Sequence, residues 1–143
     1  MDITYRKAEK VDIEAIYKFS EELIYRYEDT SAIDMARVLP WVRKKIENNI
    51  GEYTCILADG KKAGYYRVHT ENEETEIDDL YLLPEYQRQG IGTSVIQKCC
   101  AESALPVFLY AFVKNHDAVR LYKRLGFEIA ETVRETRYIM RRN

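Results

Sequence analysis

Histidine, cysteine and proline are scarce in this chain, with two, three and three residues among 143. Two histidines leave too few nitrogen ligands for a conventional zinc site, so no resident metal is expected. The cysteines (Cys55, Cys99, Cys100) are odd in number and lack metal-binding spacing. Adjacent Cys99 and Cys100 cannot face the same way on a helix, so reduced, buried thiols in a cytoplasmic protein are the expected state. No apolar run approaches the ~18 residues that would span a bilayer, and no basic, apolar, small-residue leader opens the chain. A soluble, unprocessed protein with no membrane partner is the expectation. Charge of one sign is missing too. Lys and Arg number 22 against 24 Asp and Glu, a formal net charge of −2, and they are scattered, which argues against a nucleic-acid surface. Repeats, low-complexity segments and linkers are absent. A chain of this length with 46% hydrophobic residues is expected to form one domain over residues 1–143 around a sizeable core.

What is present is a regular succession of strand and helix signals. Residues 3–6 read as a short strand. Asp12 is placed to cap a helix whose apolar face is Ile13, Ile16, Tyr17, Ser20, Leu23, Ile24 and Tyr27, spaced by three and four. Met35, Leu39, Val42 and Ile46 share a second helical face, with Pro40 in its middle. Proline fits the first turn of a helix far better than its interior. The expectation is therefore a short helical turn from residue 32 and a separate helix over 40–49, stopped by Gly51. Residues 53–58 and 63–69 are β-rich and joined by Asp59-Gly60, a strong hairpin signal. The acidic turn 71–74 leads into a strand over 76–82. A helix over 91–104, a very apolar strand over 107–113, a helix over 116–125 and strands over 127–132 and 137–140 complete the order β-α-α-β-β-β-α-β-α-β-β. The run 107–113 reads as buried on both faces. The fold class is mixed α/β, one dominant sheet covered by helices.

Two segments carry more than packing. Residues 87–92 read Gln-Arg-Gln-Gly-Ile-Gly, after the apolar run 80–84 and before a stretch with Ile91, Val95 and Cys99 spaced by four. Strand, glycine turn and helix in that order leave unpaired amide N–H groups at the helix start, a ready site for a phosphate; a plain turn would read the same way. Residues 115–127 read Asn-His-Asp-Ala-Val-Arg-Leu-Tyr-Lys-Arg-Leu-Gly-Phe. Together the segments resemble the GNAT superfamily of N-acetyltransferases. Its phosphate loop, Gln/Arg-x-x-Gly-x-Gly/Ala, is matched by Gln87, Gly90 and Gly92. Its signature Asn-x-x-Ala-x-x-Leu-Tyr-x-x-x-Gly-Phe is matched by Asn115, Ala118, Leu121, Tyr122, Gly126 and Phe127. The resemblance is close over residues 76–130 and covers the rest in pattern only. It implies a central, mostly antiparallel sheet with helices on both faces and splayed central strands, in an enzyme that uses acetyl-coenzyme A (acetyl-CoA) as acyl donor.

Such a site needs an anion cradle, a backbone partner for the pantetheine arm and groups that handle protons at the acyl carbon. For the cradle the candidates are the backbone amides of Arg88, Gln89, Gly90, Ile91, Gly92 and Thr93. Gln87 from the motif, the Thr93 hydroxyl and the Arg88 side chain join them. For the arm, the resemblance implies the main chain of Leu80 and Leu82, whose strand splays from its neighbour, and the side chain of Asn115. Asparagine at that position is also a favoured helix N-cap. Expulsion of a thiolate calls for an acid, and the resemblance gives that role to Tyr122. Ala118, Leu121, Tyr122 and Leu125 keep helical spacing, so Tyr122 would face the core even without chemistry.

An amine must lose a proton before it attacks, and Glu76, Asp78 and Asp79 are placed to take it. A charged strand leaving an acidic turn would account for them equally. His69 near a strand end reads as a solvated surface residue, and His116 as part of a helix first turn. The spacing of three between Ile77 and Leu80 breaks strand alternation; one extra residue around 78–79, a β-bulge, would return both to one face. Glu76 then falls where the resemblance implies a glutamate base, with Asp79 as runner-up. The acceptor end is expected in residues 17–50, where Tyr17, Tyr25, Tyr27 and Trp41 accompany Glu21, Glu22, Glu28 and Asp29. That composition suits a cationic amine, and it suits a tyrosine-rich packed helix as well. The expected function is acetyl transfer to a primary amine of a small molecule or peptide by direct attack in a ternary complex. Cys99 and Cys100 have apolar neighbours, which disfavours an acyl-cysteine route. The alternative is a non-catalytic regulatory module that binds acetyl-CoA. A nucleotide-binding reading of the glycine loop lacks the Gly-Lys-Ser/Thr tail. A homodimer is compatible with these residues.

Overall fold

Seven strands make one sheet in the order β1-β2-β3-β4-β5-β7-β6 in the computed structural model, which describes residues 1–143. The strands are β1 (Ile3–Lys7), β2 (Tyr53–Ala58), β3 (Lys61–Glu71), β4 (Glu74–Leu82), β5 (Val107–Phe112), β6 (Glu128–Val133) and β7 (Arg137–Arg142). The helices are α1 (Ile13–Tyr27), α2 (Met35–Asn48), α3 (Ile91–Glu102) and α4 (His116–Arg124). Neighbouring strands are antiparallel except β4 and β5, a parallel pair that α3 connects. The element order is the expected one, and helices cover both faces of the sheet. Ile77, Val95, Leu109, Phe127 and Met140 belong to the apolar cluster beneath α3 and α4. Ile16, Ile46, Tyr53, Tyr65 and Tyr81 belong to the cluster beneath α1 and α2.

The centre of the sheet is irregular in two ways, and both shape the site. β4 and β5 are in register only at Thr75–Val107 and Glu76–Phe108; beyond that the strands part, as splayed central strands require. On its other side β4 pairs Tyr81 with Tyr65 and then Asp78 with Arg67, so Asp79 and Leu80 together stand opposite Tyr66. This is the expected bulge, and Asp79 takes a φ of +50° to make it. The extra residue returns Ile77, Leu80 and Leu82 to the α3 side and sends Tyr81 to the α1–α2 side. Gly64 is required nearby, because a Cβ there would lie 2.0 Å from the Tyr81 carbonyl oxygen.

Three expectations are corrected. α2 runs unbroken through Pro40, where the sequence predicts two pieces. Asp34 caps it by accepting from the Ala36 amide at 3.2 Å. The bond that proline deletes would have reached the Ala36 carbonyl, and both residues face solvent, where water replaces the lost donor. Asp12 does not cap α1 with its side chain. The carboxylate turns inward to accept from the Glu9 amide, Arg6, Lys62 and the Tyr65 hydroxyl. Finally, β5 is not buried on both faces throughout. Val107, Leu109 and Ala111 are buried, but Tyr110 is 41% exposed, because β4 has already diverged at that level.

Candidate active site

The divergence of β4 and β5 opens a cleft of about 910 Å³. Its walls come from α1, α2, β3, β4, β5, α4 and the turn between β6 and β7, and both Glu76 and Tyr122 line it. A second, shallower groove of about 590 Å³ between α3 and β7 contains none of the candidate residues. Beyond Glu76, the edge of β4 that faces β5 has no strand partner, which leaves that edge available to an extended ligand apart from the Leu82 carbonyl, which a side chain already engages.

The glycine loop begins where that open edge ends. Gly90 adopts φ +82°, and a Cβ built on it meets nothing within 4 Å. The positive φ therefore selects glycine, and the space above it is free. α3 starts at Ile91. The amides from Arg88 to Thr93 have no acceptor in the protein; the next one, Ser94, bonds the Gly90 carbonyl at 3.0 Å. Free amides at the positive end of a helix suit a pyrophosphate. Gln87 supports the loop rather than facing the cradle, since its Nε2 donates to the Leu82 carbonyl at 3.0 Å. Gln89 donates likewise to the Glu85 carbonyl at 2.7 Å. The Arg88 side chain is 89% exposed and 3.8 Å from Asp117, a solvated arginine.

Glu76 is 6% exposed, and His69 Nε2 lies 2.6 Å from its Oε1. Burial and the negative charge of Asp78 push its carboxyl up to about 7, against a smaller opposing pull from His69. His69 is thus a partner inside the site, not a solvated surface residue. Its signal was in the hairpin: counting back from the acidic turn sets His69 opposite Glu76. Glu71, His69 and Glu76 bring ligand atoms within 4.8 Å of one another, close enough for a divalent cation to share. Asp78 lies between Lys45 Nζ at 2.7 Å and Arg67 at 3.2 Å. Burial works against its ionisation, but those two cations hold it below the usual range. Asp79 accepts from the Tyr53 hydroxyl at 2.5 Å, the Tyr81 hydroxyl at 2.6 Å and Lys45 at 3.4 Å. Its proton affinity is raised by burial and by Asp78, yet both its oxygens are already engaged. Glu76 has the freer carboxylate. Lys45, Tyr53 and Arg67 were missed, because only tertiary packing brings α2, β2 and β3 onto this carboxylate group; Tyr81 was missed although it lies two residues from Asp79 on β4, because the bulge re-aims both side chains.

Tyr122 points from α4 into the cleft, edge-on to Phe127 with ring centroids 6.2 Å apart. Its hydroxyl bonds no protein group, and burial raises it to about 12, so it holds its proton. Asn115 caps α4 by accepting from the Ala118 amide at 3.3 Å, and it also lines the cleft. The acceptor end differs from expectation. Of the aromatic and acidic residues singled out there, Trp41 and Glu28 line the cleft. Tyr17 instead lies under Arg43 at 4.2 Å, Tyr27 stacks on Phe112 at 5.6 Å, and Tyr25 is 56% exposed. Glu21 bonds the Tyr17 hydroxyl. Helical periodicity could not say which of these rings would be used for packing.

Known proteins give the same outline. The model of the Acetyltransferase (GNAT) family matches residues 13–127. A [ribosomal protein bS18]-alanine N-acetyltransferase from Escherichia coli K12 is 28% identical over 110 residues, 72% of this chain and 74% of the relative. A Bacillus subtilis relative is 30% identical over 98 residues, and the match spans only 65% of that protein against 62% of this one. Among solved structures, the PaiA N-acetyltransferase from Thermoplasma acidophilum in complex with coenzyme A shares the fold at a TM-score of 0.74. It is 21% identical, with 100% of this chain and 99% of that one covered.

Proposed function

This chain belongs to the GNAT family of acetyltransferases, and we propose that it transfers an acetyl group from acetyl-CoA to a primary amine of a small molecule or peptide, by direct attack in a ternary complex. One observation carries the reading. Glu76 and Tyr122 line the same cleft, at the open edge of β4 and beside a loop whose amides bond nothing else in the protein.

The residues fit the donor. The Arg88–Thr93 amides and the α3 dipole hold its pyrophosphate. The free edge of β4 at Leu80 and Leu82, with Asn115, takes the amide-bearing arm. Glu76, neutral below pH 7 and ionised above it, removes a proton from the incoming ammonium, directly or through a water, so that the nitrogen lone pair can attack the acyl carbon. Tyr122 gives its proton to the departing thiolate. Asp79, the runner-up base, instead anchors Tyr53 and Tyr81, which keeps the bulge in place. A relative that acts on alanine of ribosomal protein bS18 makes peptide α-amines the first acceptors to try.

The test measures free thiol released from acetyl-CoA by purified protein with peptides, amino acids, diamines and aminoglycosides. Release with one amine class supports the enzyme. If acetyl-CoA raises the melting temperature and no amine releases thiol, the protein binds the donor without turning it over and the reading fails.

A further inference from the structure

Two sets of charged side chains in the cleft differ in how they are partnered. Lys45 and Arg67 are tied to Asp78, Asp79 and Glu52. Arg137 and Glu28 are not tied to anything. Both line the cleft, neither makes an ion pair with the other or with any neighbour, and Arg137 Nε and Glu28 Oε1 are buried without a hydrogen-bond partner. The Arg137 guanidinium rests 5.3 Å from the centroid of the Tyr110 ring. That contact holds the side chain over the floor of the cleft without meeting its need for an anion. Both side chains are half-buried, yet a buried guanidinium nitrogen lacking an acceptor is costly, as is a buried carboxylate oxygen lacking a donor. Two such groups in one cleft mark the places where a ligand completes them.

Sheet register locates Arg137 relative to the chemistry. Glu76 stands beside Phe108 and Arg137 beside Phe112. Phe108, Tyr110 and Phe112 share one face, so Glu76 and Arg137 do too. With about 3.3 Å per residue, Tyr110 lies about 7 Å beyond Phe108 along β5. The guanidinium above Tyr110 is therefore several bonds away from a nitrogen at Glu76, farther than an α-carboxylate reaches from its own amine.

We propose that the acceptor carries a carboxylate several bonds from its reacting amine, paired with Arg137, and an N–H donor bonded to Glu28. A peptide with an acidic residue near its amino end has this chemistry, and so does a longer free amino acid. The proposal rests on the acetyltransferase reading above and narrows it. Polyamines and aminoglycosides bring only positive charge to Arg137 and are disfavoured.

The experiment compares Ala-Glu amide, Ala-Gln amide, Ala-Lys amide, free glutamate and 1,4-diaminobutane. Each is measured by acetyl transfer and by calorimetric binding to the CoA-loaded protein. Wild type should favour Ala-Glu amide over Ala-Gln amide about tenfold or more. Arg137→Gln should bring that ratio close to one, and Arg137→Glu should turn it toward Ala-Lys amide. Glu28→Gln should weaken both peptides together. Preference for Ala-Glu amide over glutamate identifies a peptide acceptor, and the reverse an amino acid. The wild-type ratio needs no variant and so does not depend on how the variants fold. Wild type that prefers Ala-Gln amide or the diamine overturns the proposal, as does a ratio that persists in Arg137→Gln. Selective binding of Ala-Glu amide without transfer to any acceptor would sink the catalytic reading and leave the role of Arg137 standing.

Discussion

Asp12 and Glu76 are both buried carboxylates, at 0% and 6% exposure. Burial alone disfavours the charged form of each. Asp12 answers with donors on every side: Arg6 at 3.1 Å, Lys62 at 3.0 Å, the Tyr65 hydroxyl at 2.8 Å and the Glu9 amide at 2.8 Å. Those bonds outweigh burial and hold its carboxyl far below the usual range. Glu76 has one partner, His69, and lies two residues along β4 from the charge of Asp78, so burial prevails and it rises to about 7. A carboxylate surrounded by cations is a fixed anion that joins β1, β3 and the start of α1. A carboxylate beside another acid is a proton acceptor near neutral pH. Depth does not separate the two; counter-charge does.

The largest effect that tests this contrast is kinetic. Glu76→Gln should lower acetyl transfer by about 10²–10⁴-fold at neutral pH. The wild-type rate should climb with pH through about 7, as Glu76 ionises. The variant should lose that limb and recover only as the amine itself deprotonates. Asp12→Asn, assayed at a temperature where it is folded, should keep the limb. If the limb survives in Glu76→Gln, the amine arrives neutral and Glu76 belongs with Asp12 as a structural acid.

Removing the fixed anion should cost stability instead. Asp12→Ala loses charged hydrogen bonds to partners in the interior, which costs about 3 kcal/mol in urea unfolding. Arg6 and Lys62 are 33% and 50% exposed, so their charges regain water and the loss stays near the lower end for a broken buried pair. A loss below about 1 kcal/mol would show that the cluster is no more than a surface ion pair.

The same contrast extends to tyrosines. Tyr65 donates to Asp12, while the Tyr122 hydroxyl has no protein partner, and burial raises both. Tyr122→Phe keeps the ring against Phe127 and should cut the maximal rate by on the order of 10² while the KM for acetyl-CoA stays close to wild type. Tyr65→Phe should do the reverse, lowering stability by about 1 kcal/mol with the rate retained. Full activity in Tyr122→Phe would reduce Tyr122 to a packing residue.

Much of this contrast was legible in the chain, and the rest was not, for physical reasons. Local signals carried the element order, the Asp59-Gly60 hairpin, the Asn115 cap, and the bulge inferred from Ile77 and Leu80. Each depends on residues a few positions apart. Pro40 misled because the rule against interior proline assumes that the orphaned carbonyl lacks water, and here it is on the surface. Asp12 misled because a helix-start aspartate is usually a cap, and its true partners, Lys62 and Tyr65, lie some fifty positions away. The acids on β4 were found, but not their environment. Lys45 comes from another element, and no periodicity indicates which carboxylate a lysine will reach.

The pH dependence of stability is the most discriminating effect, because the two acids should respond to pH with opposite sign. Asp12 is depressed in the folded state. It stabilises the protein above the unfolded aspartate range, and that contribution is lost as pH falls toward its folded value. Glu76 is raised, from 4.5 to about 7. Between those values the native state holds a proton that the unfolded chain has released, so the stability of the native state falls as pH rises through this window. Below it both states are protonated and Glu76 contributes no slope; above it the full penalty applies. At about 1.4 kcal/mol per pH unit the shift bounds the penalty at about 3.5 kcal/mol, and relaxation around His69 brings the expectation to about 2 kcal/mol. Glu76→Gln should therefore be more stable than wild type at pH 8 by about that amount and similar to it at pH 4. Asp12→Asn should be less stable at pH 8, with the gap closing below pH 4. Urea unfolding of the three proteins at pH 4, 6 and 8 separates these slopes. A Glu76→Gln variant that is less stable than wild type at pH 8 would mean that Glu76 is held as a partnered anion after all. The protein would then have sacrificed no stability for a base.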